Sequence, residues 1–285
     1  MTHLLLAILF AVLIFVCFRL ISTFKLDEFQ VIVANYLVAV MLGTVIWQEP
    51  IIPSVIVTKP WFPITIIIGF SFIITFYLFA KSSVKAGIAI TAVAGKMSVI
   101  IPAIAGFLIF GETVRSLKVV GIILALFSFV LIFYKGKKSK PNFKFIILPL
   151  LIFIGTGFND TLTKYAHFKY LNGDNALFLT TIFAWSFIFS LVFVILKLVS
   201  LKKRISLKSL LAGVFVGLVN FGSMYNILAS LTYFEASLFF PVLSISVVLI
   251  TAGIGIVFFK EKLSKQMIAG ILVAVLSIVL ISANW

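Results

Sequence analysis

Charged residues are scarce in this sequence. Asp, Glu, Lys and Arg make up only 11% of its 285 residues, whereas hydrophobic residues make up 63%. An ordinary soluble domain carries about 25% charged residues, so this composition excludes a soluble globular protein. The high mean hydropathy of +1.29 also excludes a disordered chain. The composition is that of a membrane protein.

Residues that build metal and catalytic sites are also few. There is one cysteine, Cys17, and there are two histidines, His3 and His167, far apart along the chain. One cysteine can form neither an internal disulfide nor a cysteine-based metal site. The sequence lacks the H-E-x-x-H, G-x-S-x-G and Walker A motifs of metalloproteases, serine hydrolases and nucleotide-binding proteins. We therefore expect no enzyme, no catalytic residues, no metal and no cofactor.

What the sequence does contain is a series of long apolar runs. A helix needs about 20 apolar residues to cross a bilayer, and hydropathy predicts ten such spans, with connections too short for an extramembrane domain. The spans cover 4–22, 29–47, 61–80, 87–110, 117–134, 144–163, 175–198, 208–230, 236–259 and 266–283. The predicted fold is therefore an all-α integral membrane protein with ten transmembrane helices.

The two halves of the chain are similar to each other. A shift of 149 residues aligns ten identical residues within positions 106–132, including Glu112 with Glu261 and Gly121 with Gly270. Paired Glu and Gly residues at one unbroken offset indicate an internal duplication. Because each half contains five spans, the second half must enter the membrane from the opposite side. The sequence thus predicts two inverted five-helix repeats.

The fourth helix of each repeat ends in a similar dipeptide, Gly111-Glu112 in the first and Lys260-Glu261 in the second. With the two repeats, these motifs resemble the ten-helix drug/metabolite transporter superfamily, of the EamA type. The resemblance covers the whole chain, with an EamA-like repeat at 1–134, a basic linker loop at 135–143 and a second repeat at 144–285. It implies a metabolite carrier whose central cavity is lined by helices 1–4 and 6–9, with helices 5 and 10 as supports.

Small residues recur at a spacing of four in several spans. Such pairs let helix backbones approach closely, and we interpret them as packing positions. They are Gly121 with Ala125, Gly270 with Ala274, and Gly213 with Gly217.

Lys96 is the most unusual residue at membrane depth. It is the tenth residue of a 24-residue span, which places it about 15 Å from the start of the helix at 1.5 Å per residue. A charge at that depth faces a cavity or a partner. Pro102 removes the helical donor for the carbonyl of Ser98, so we expect a polar site here. The alternative is a lysine paired internally for structure.

Asn159 and Asp160 also lie deep, in the sixth span. Asp160 precedes Lys164 by four residues, a spacing at which the two can pair along one helix face. Alternatively, Asp160 binds a substrate ammonium group or carries a coupling proton. Arg19 and Lys164 end the first helix of each repeat, where they either extend to the membrane surface or attract anions at the two mouths.

Further polar side chains complete the candidate set. Tyr77 and Asn226 correspond under the repeat, so it places a hydrogen-bonding group at the same point of helices 3 and 8. His167 is interpreted as interfacial, and Glu112 and Glu261 as caps of the helices that follow them. The predicted substrate-binding residues are Lys96, Asn159, Asp160, Tyr77, Asn226, Asn35, Asn220, Arg19 and Lys164.

These residues lead to a functional hypothesis. We expect a monomeric secondary transporter that moves a small anionic or zwitterionic metabolite by alternating access, with a coupling proton or a counter-substrate. A lipid flippase or a non-transporting membrane sensor on the same scaffold is the alternative, and an intramembrane enzyme is less favoured. The net charge of +15 comes mostly from short loops, so anionic lipid headgroups explain it better than nucleic acid.

The distribution of basic residues predicts an orientation. Seventeen of the 23 Lys and Arg residues fall on the side of the odd-numbered loops, against five on the side of the termini. Basic loops are retained in the cytoplasm, so we expect both termini outside, in a bacterial inner membrane. Relatives of the family that the chain resembles usually have the opposite orientation.

Overall fold

A computed structural model describes residues 2–47, 52–109, 116–133, 143–171, 174–201, 205–231, 233 and 236–282. These residues form α-helices and connecting turns, with no strand among them. The helices are α1 (Thr2–Thr23), α2 (Glu28–Trp47), α3 (Pro53–Val57), α4 (Phe62–Lys85), α5 (Ile88–Met97), α6 (Ile100–Ile109), α7 (Ser116–Phe133), α8 (Phe143–Tyr170), α9 (Asn175–Leu201), α10 (Leu207–Leu231), α11 (Ala236–Val257) and α12 (Lys265–Ser282).

The predicted all-α membrane fold is confirmed. Seven helical segments are long and apolar enough to cross a bilayer, and one of them, Ile88–Gly106, runs through both α5 and α6. Three shorter apolar helical segments, Ser116–Ile132, Val242–Val257 and Lys265–Ile281, account for the remaining predicted spans. Every predicted span thus coincides with helix, while ten crossings and the inversion of the repeats stay predictions.

The fourth predicted span is not one continuous helix. It breaks at Ser98 and Val99, where α5 ends and α6 begins. Pro102 has no N–H to donate, as expected, but the carbonyl of Ser98 is not left free. It accepts a hydrogen bond from the N–H of Ile101 at 2.9 Å, because the chain tightens into an i to i+3 turn before the proline. The expectation that Pro102 leaves the carbonyl of Ser98 without a donor was therefore wrong.

Two further features differ from the hydropathy prediction. The short helix α3 lies in a connection, and five residues are too few to appear as a span. Helix α8 runs to Tyr170 rather than ending near 163, because hydropathy marks only the apolar part of a helix and not the polar turns that continue it. Lys164 is therefore inside α8 and not at its end.

Helices α7 and α12 pack against each other in a reciprocal way. The backbone of Gly121 faces Ile281, and the backbone of Gly270 faces Ile132. Gly270 is the repeat counterpart of Gly121, and Ile281 is that of Ile132, both at the offset of 149. The contact is thus self-complementary, as expected where a two-fold axis relates two helices. It confirms that the small residues of these helices are packing positions.

The bundle has two distinguishable ends. We call the end that holds the connections α1–α2, α4–α5, α9–α10 and α11–α12 the lysine-rich end, and the opposite end, where α1 begins and α12 ends, the terminal end. Helix α2 packs antiparallel to α9 and is joined to it at the lysine-rich end by an ion pair between Asp27 and Lys197, at 2.8 Å. At the terminal end Asp174, just before α9, pairs with Lys59 at 2.7 Å.

Contacts between the two halves are frequent at the lysine-rich end. The side chain of Gln30 accepts from the N–H of Ser206 at 2.7 Å. The guanidinium of Arg19 donates to the carbonyl of Ser83 and lies over the ring of Phe259. A cavity of about 480 Å³ lies beside these contacts and is lined in part by Gln30 and Ser206.

Glu261 caps a helix, but not the one expected from the sequence. Its carboxylate accepts a hydrogen bond from the N–H of Ile88 at 2.8 Å, at the start of α5. Gly87 precedes α5 with φ +97°, a conformation that glycine adopts readily. The chain turns at Lys260, φ +51°, and this directs Glu261 towards the first half instead of α12. Glu112 lies outside the described residues.

Candidate functional site

A cavity of about 780 Å³ lies beside the break between α5 and α6. We call it the large cavity. It reaches the terminal end of the bundle at His167, Leu171 and Asn175. Its polar lining residues are Lys96, Ser98, Thr156, Asp160, Thr163, Lys164, His167, Asn175 and Ser244. Most of the helices that line it match the cavity implied by the family resemblance, although Ile278 of α12 also contributes.

Lys96 lies in the last turn of α5 and lines this cavity. Its helix is thin at this point, because Gly95 packs against the ring of Phe79 without a side chain of its own. We find no ion pair for Lys96 within the part of the chain that the structure describes. Asp160 lines the same cavity and interacts with Lys96 electrostatically, so a ligand role and an internal partner both stay predictions for Lys96.

Asp160 faces the same cavity from α8. Asp160 is exposed although it lies in the middle of an apolar helix. Because it lines the large cavity, its exposed surface forms part of the cavity wall. The carboxylate lies 3.4 Å from the hydroxyl oxygen of Ser98, at the α5 break. The hydrogen of that hydroxyl is donated mainly to the nearer carbonyl of Gly95, at 2.7 Å. The described ion pairs do not join it to Lys164. Lys164 lines the cavity one turn closer to the terminal end.

A second, smaller cavity of about 270 Å³ adjoins the first. We call it the small cavity. Thr156 and Asp160 line both cavities, so they lie at the boundary between the two. The other polar residues of the small cavity are Tyr36, Thr75, Asn159 and Asn220.

Three of the four asparagines of the predicted set lie in or behind the small cavity. The amide of Asn159 donates to the hydroxyl of Thr75 at 3.4 Å. Asn220, on α10, donates to the side-chain oxygen of Asn35, on α2, at 3.2 Å. Asn35 is fully buried behind Asn220 and joins the two helices. It therefore supports the wall and does not line either cavity.

Three predicted residues lie away from both cavities. Tyr77 stacks on Phe29, with ring centroids 5.5 Å apart. Asn226 has both sides of its amide engaged, since it donates to the carbonyl of Gly222 and its oxygen lies 2.9 Å from the His3 ring nitrogen. Arg19 lies at the lysine-rich end, where it contacts the carbonyl of Ser83 and the ring of Phe259.

Sequence reasoning missed the hydroxyl groups of the site. Ser98, Thr75 and Thr156 look ordinary in an apolar sequence, because helical Ser and Thr commonly satisfy themselves by bonding to a carbonyl one turn back. The available signal was the spacing of Thr156 and Asp160, four residues apart on one helix face.

The lining charges define what the large cavity can bind. Lys96 and Lys164 carry positive charge and Asp160 carries the only carboxylate among the described lining residues. Charged groups at membrane depth are costly without compensation. A ligand with at least one negative group is therefore complementary to this cavity.

Comparisons with known proteins agree with this architecture. A family model described as the EamA-like transporter family matches residues 143–283. An uncharacterized protein of Haemophilus influenzae is 28% identical over 219 residues, which are 74% of this chain and 72% of that protein. The crystal structure of another protein superposes with a TM-score of 0.58 at 13% identity, over 99% of this chain and 98% of the other, and shows a shared fold. Residues 143–283 thus match the EamA-like transporter family, which is part of the drug/metabolite transporter superfamily, and the chain is an integral, multi-pass membrane protein.

Proposed function

We propose that this protein is a secondary transporter for a small anionic or zwitterionic metabolite, which it moves by alternating access through the large cavity. The observation that carries the proposal is the presence of Lys96 and Asp160 in one cavity beside a discontinuous helix. Transporters build substrate sites at such breaks, near the middle of the bilayer. Lys96 binds the negative group of the substrate. Asp160 supplies the negative charge of the site.

The state of the bundle supports this mechanism. The large cavity reaches the terminal end at His167, and Gln30 and Glu261 make contacts that join the two halves at the lysine-rich end. A transporter that alternates between two states exposes one site to each side in turn. We infer that the conformation described exposes the large cavity to the terminal end.

Lipid flipping is a second candidate function, and one observation favours it. An apolar crevice of about 380 Å³ lies between α9 and α10, since both pack on α2 and make little contact with each other. It shares Phe183 with the small cavity and Leu179 with the large one. It is thus a lateral path from the lipid towards both cavities. None of the described residues that line it is charged, so we favour the metabolite.

The test is transport by purified protein in liposomes, after a screen of metabolites for thermal stabilisation in detergent. We expect Lys96→Ala to lower uptake of the stabilising metabolite by more than about tenfold, because a hydrogen bond to a charged group is worth about 1.5–3 kcal/mol. Folding, measured by gel filtration and thermal unfolding, should be retained. Lys85→Ala, at the exposed end of α4, is the matched control and should transport normally.

Two results would contradict the proposal. One is wild-type transport by Lys96→Ala, and the other is export of quaternary ammonium compounds, which a cavity lined by Lys96 and Lys164 should exclude. Movement of a fluorescent phospholipid between leaflets, with no stabilisation by any metabolite, would assign the flippase function instead. Binding of a metabolite without uptake would identify a sensor.

A further inference from the structure

Three polar residues of α8 form one face at the boundary of the two cavities. Asn159 and Asp160 follow Thr156 by three and four residues, so both side chains lie on the same side of the helix as that of Thr156. All three line the small cavity. Thr75, on α4, lines it from the opposite side. The face therefore brings several oxygen atoms to one small volume.

The side-chain oxygen of Asn159 has no partner although the residue is only 4% exposed. Its orientation is fixed by Thr75, whose single hydroxyl hydrogen is donated to the carbonyl of Ser71 at 2.8 Å. The Thr75 oxygen can then only accept, so Asn159 must turn its NH₂ towards it and its oxygen away. A buried acceptor left in this way costs stability unless something occupies it.

Thr156 provides a second unpaired oxygen. The hydroxyls of Thr161 and Thr163 on the same helix each donate to a carbonyl four residues earlier. The buried hydroxyl oxygen of Thr156 makes no such bond and has no partner. It is therefore a second buried, unsatisfied oxygen on a residue that lines both cavities.

The electrostatic surroundings favour a cation at this face. Asp160 supplies a full negative charge, and its contact with Ser98 brings the C-terminal end of α5 next to it. The C-terminal end of a helix carries partial negative charge. The described cation nearest to this face, Lys96, makes no ion pair with Asp160, although the two interact electrostatically across the large cavity.

We propose that Thr156, Asn159 and Asp160, with Thr75, form a binding site for a monovalent metal cation, of which Na⁺ is the physiological candidate. Hard cations prefer carboxylate, carbonyl and hydroxyl oxygens, and one carboxylate balances one positive charge. The site lies in the small cavity, beside the substrate region that Lys96 lines. Its role rests on the proposed transport function. Na⁺ bound at Asp160 balances the charge of the carboxylate, so Lys96 can bind the anionic group of the substrate, and ion and substrate bind together.

The site itself is tested without transport. The purified protein is unfolded by heat in detergent, with NaCl exchanged for choline chloride at constant ionic strength. We expect Na⁺ to raise the unfolding midpoint in a saturable way. Asp160→Asn should abolish this response. Thr156→Val, which removes one oxygen and keeps the shape, should weaken the apparent affinity for Na⁺ about tenfold, as the loss of about 1.4 kcal/mol implies.

Thr161→Val is the matched control, because the hydroxyl of Thr161 bonds within its own helix and lines neither cavity. It should keep the Na⁺ response of the wild type. The proposal is overturned if the wild type shows no Na⁺-specific stabilisation, or if Thr156→Val and Asp160→Asn leave it unchanged. Stabilisation by methylammonium but not by Na⁺ would also overturn it and assign this face to a substrate ammonium group.

The outcome separates the ion site from the transport function. If the Na⁺ response is present but Lys96→Ala transports normally, the ion site stands and the proposed substrate site fails. If uptake depends on Lys96 but a Na⁺ gradient does not change it, the transporter stands and the coupling role fails.

Discussion

Glu261 connects the two halves of the molecule through a single side chain. It follows α11 in the second half, yet its carboxylate binds the first N–H of α5 in the first half. The same helix carries Lys96 at its other end. A residue at the lysine-rich end therefore holds the helix that presents the charge of the large cavity. We infer that Glu261 is a positioning residue for Lys96.

Replacement of Glu261 should loosen this end of the bundle. We expect Glu261→Ala to lower the free energy of unfolding by about 1–2 kcal/mol, because it leaves the buried N–H of Ile88 without an acceptor. Glu261→Gln retains an acceptor oxygen and should lose less. Thermal unfolding in detergent measures the difference. The exposed neighbour Lys262→Ala is the control, and an equally stable Glu261→Ala protein would contradict the assignment.

Residue by residue, the sequence predicted the charged part of the site better than its uncharged part. Lys96 and Asp160 could be predicted because charges inside apolar spans are rare and require a cavity or a partner. Tyr77 and Asn226 could not be separated from true lining residues, because their partners, Phe29 and His3, are distant in sequence. The target of Glu261 is likewise set by tertiary structure.

At the scale of elements, hydropathy located the helices but not their interruptions. The break between α5 and α6 depends on how the chain satisfies the carbonyl of Ser98 before Pro102, which apolar periodicity does not report. The length of α8 depends on polar residues beyond the membrane-length run. Helix packing was more predictable, because a glycine four residues from an alanine has few other uses on an apolar helix.

The α7–α12 contact gives a direct test of element packing. A Cβ added at Gly270 would lie 2.6 Å from the Ile132 side chain and 3.1 Å from its backbone nitrogen. We therefore expect Gly270→Ala to lower the unfolding midpoint by separating the two helices. At Gly253, on α11, a Cβ meets nothing within 4 Å. Gly253→Ala should leave the midpoint unchanged or raise it, by at most about 1 kcal/mol of helix propensity.

Both variants make the same chemical change in an apolar helix, so a difference between them reports packing alone. Equal midpoints for Gly270→Ala and Gly253→Ala would show that α7 and α12 adjust to the added methyl group. Gly121→Ala, at the counterpart position of the first half, should resemble Gly270→Ala, because the contact is reciprocal.

At the scale of the whole molecule, the two ends differ in charge. An ion pair joins the halves at each end, Asp27 with Lys197 at the lysine-rich end and Asp174 with Lys59 at the terminal end. The large cavity reaches the terminal end, and a cavity of about 480 Å³ lies at the lysine-rich end. The sequence predicted the difference in charge, since counting Lys and Arg requires only the order of the spans. It could not predict the cavities, because they depend on how the helices pack.

Orientation in the membrane follows from the same charge difference. Basic connections are retained in the cytoplasm, and the lysine-rich end carries most of the 23 Lys and Arg residues. We therefore predict that this end is cytoplasmic and that both termini face the outside of a bacterial inner membrane. The large cavity would then open outward in the conformation described.

Alkaline phosphatase fused after Trp285 should be active, and green fluorescent protein at the same position should be dark. Fusions within the connection after α9 should give the reverse pattern and serve as the control. A fluorescent C-terminal fusion would show that loop charge does not set the orientation of this chain, and the cavity would then open to the cytoplasm.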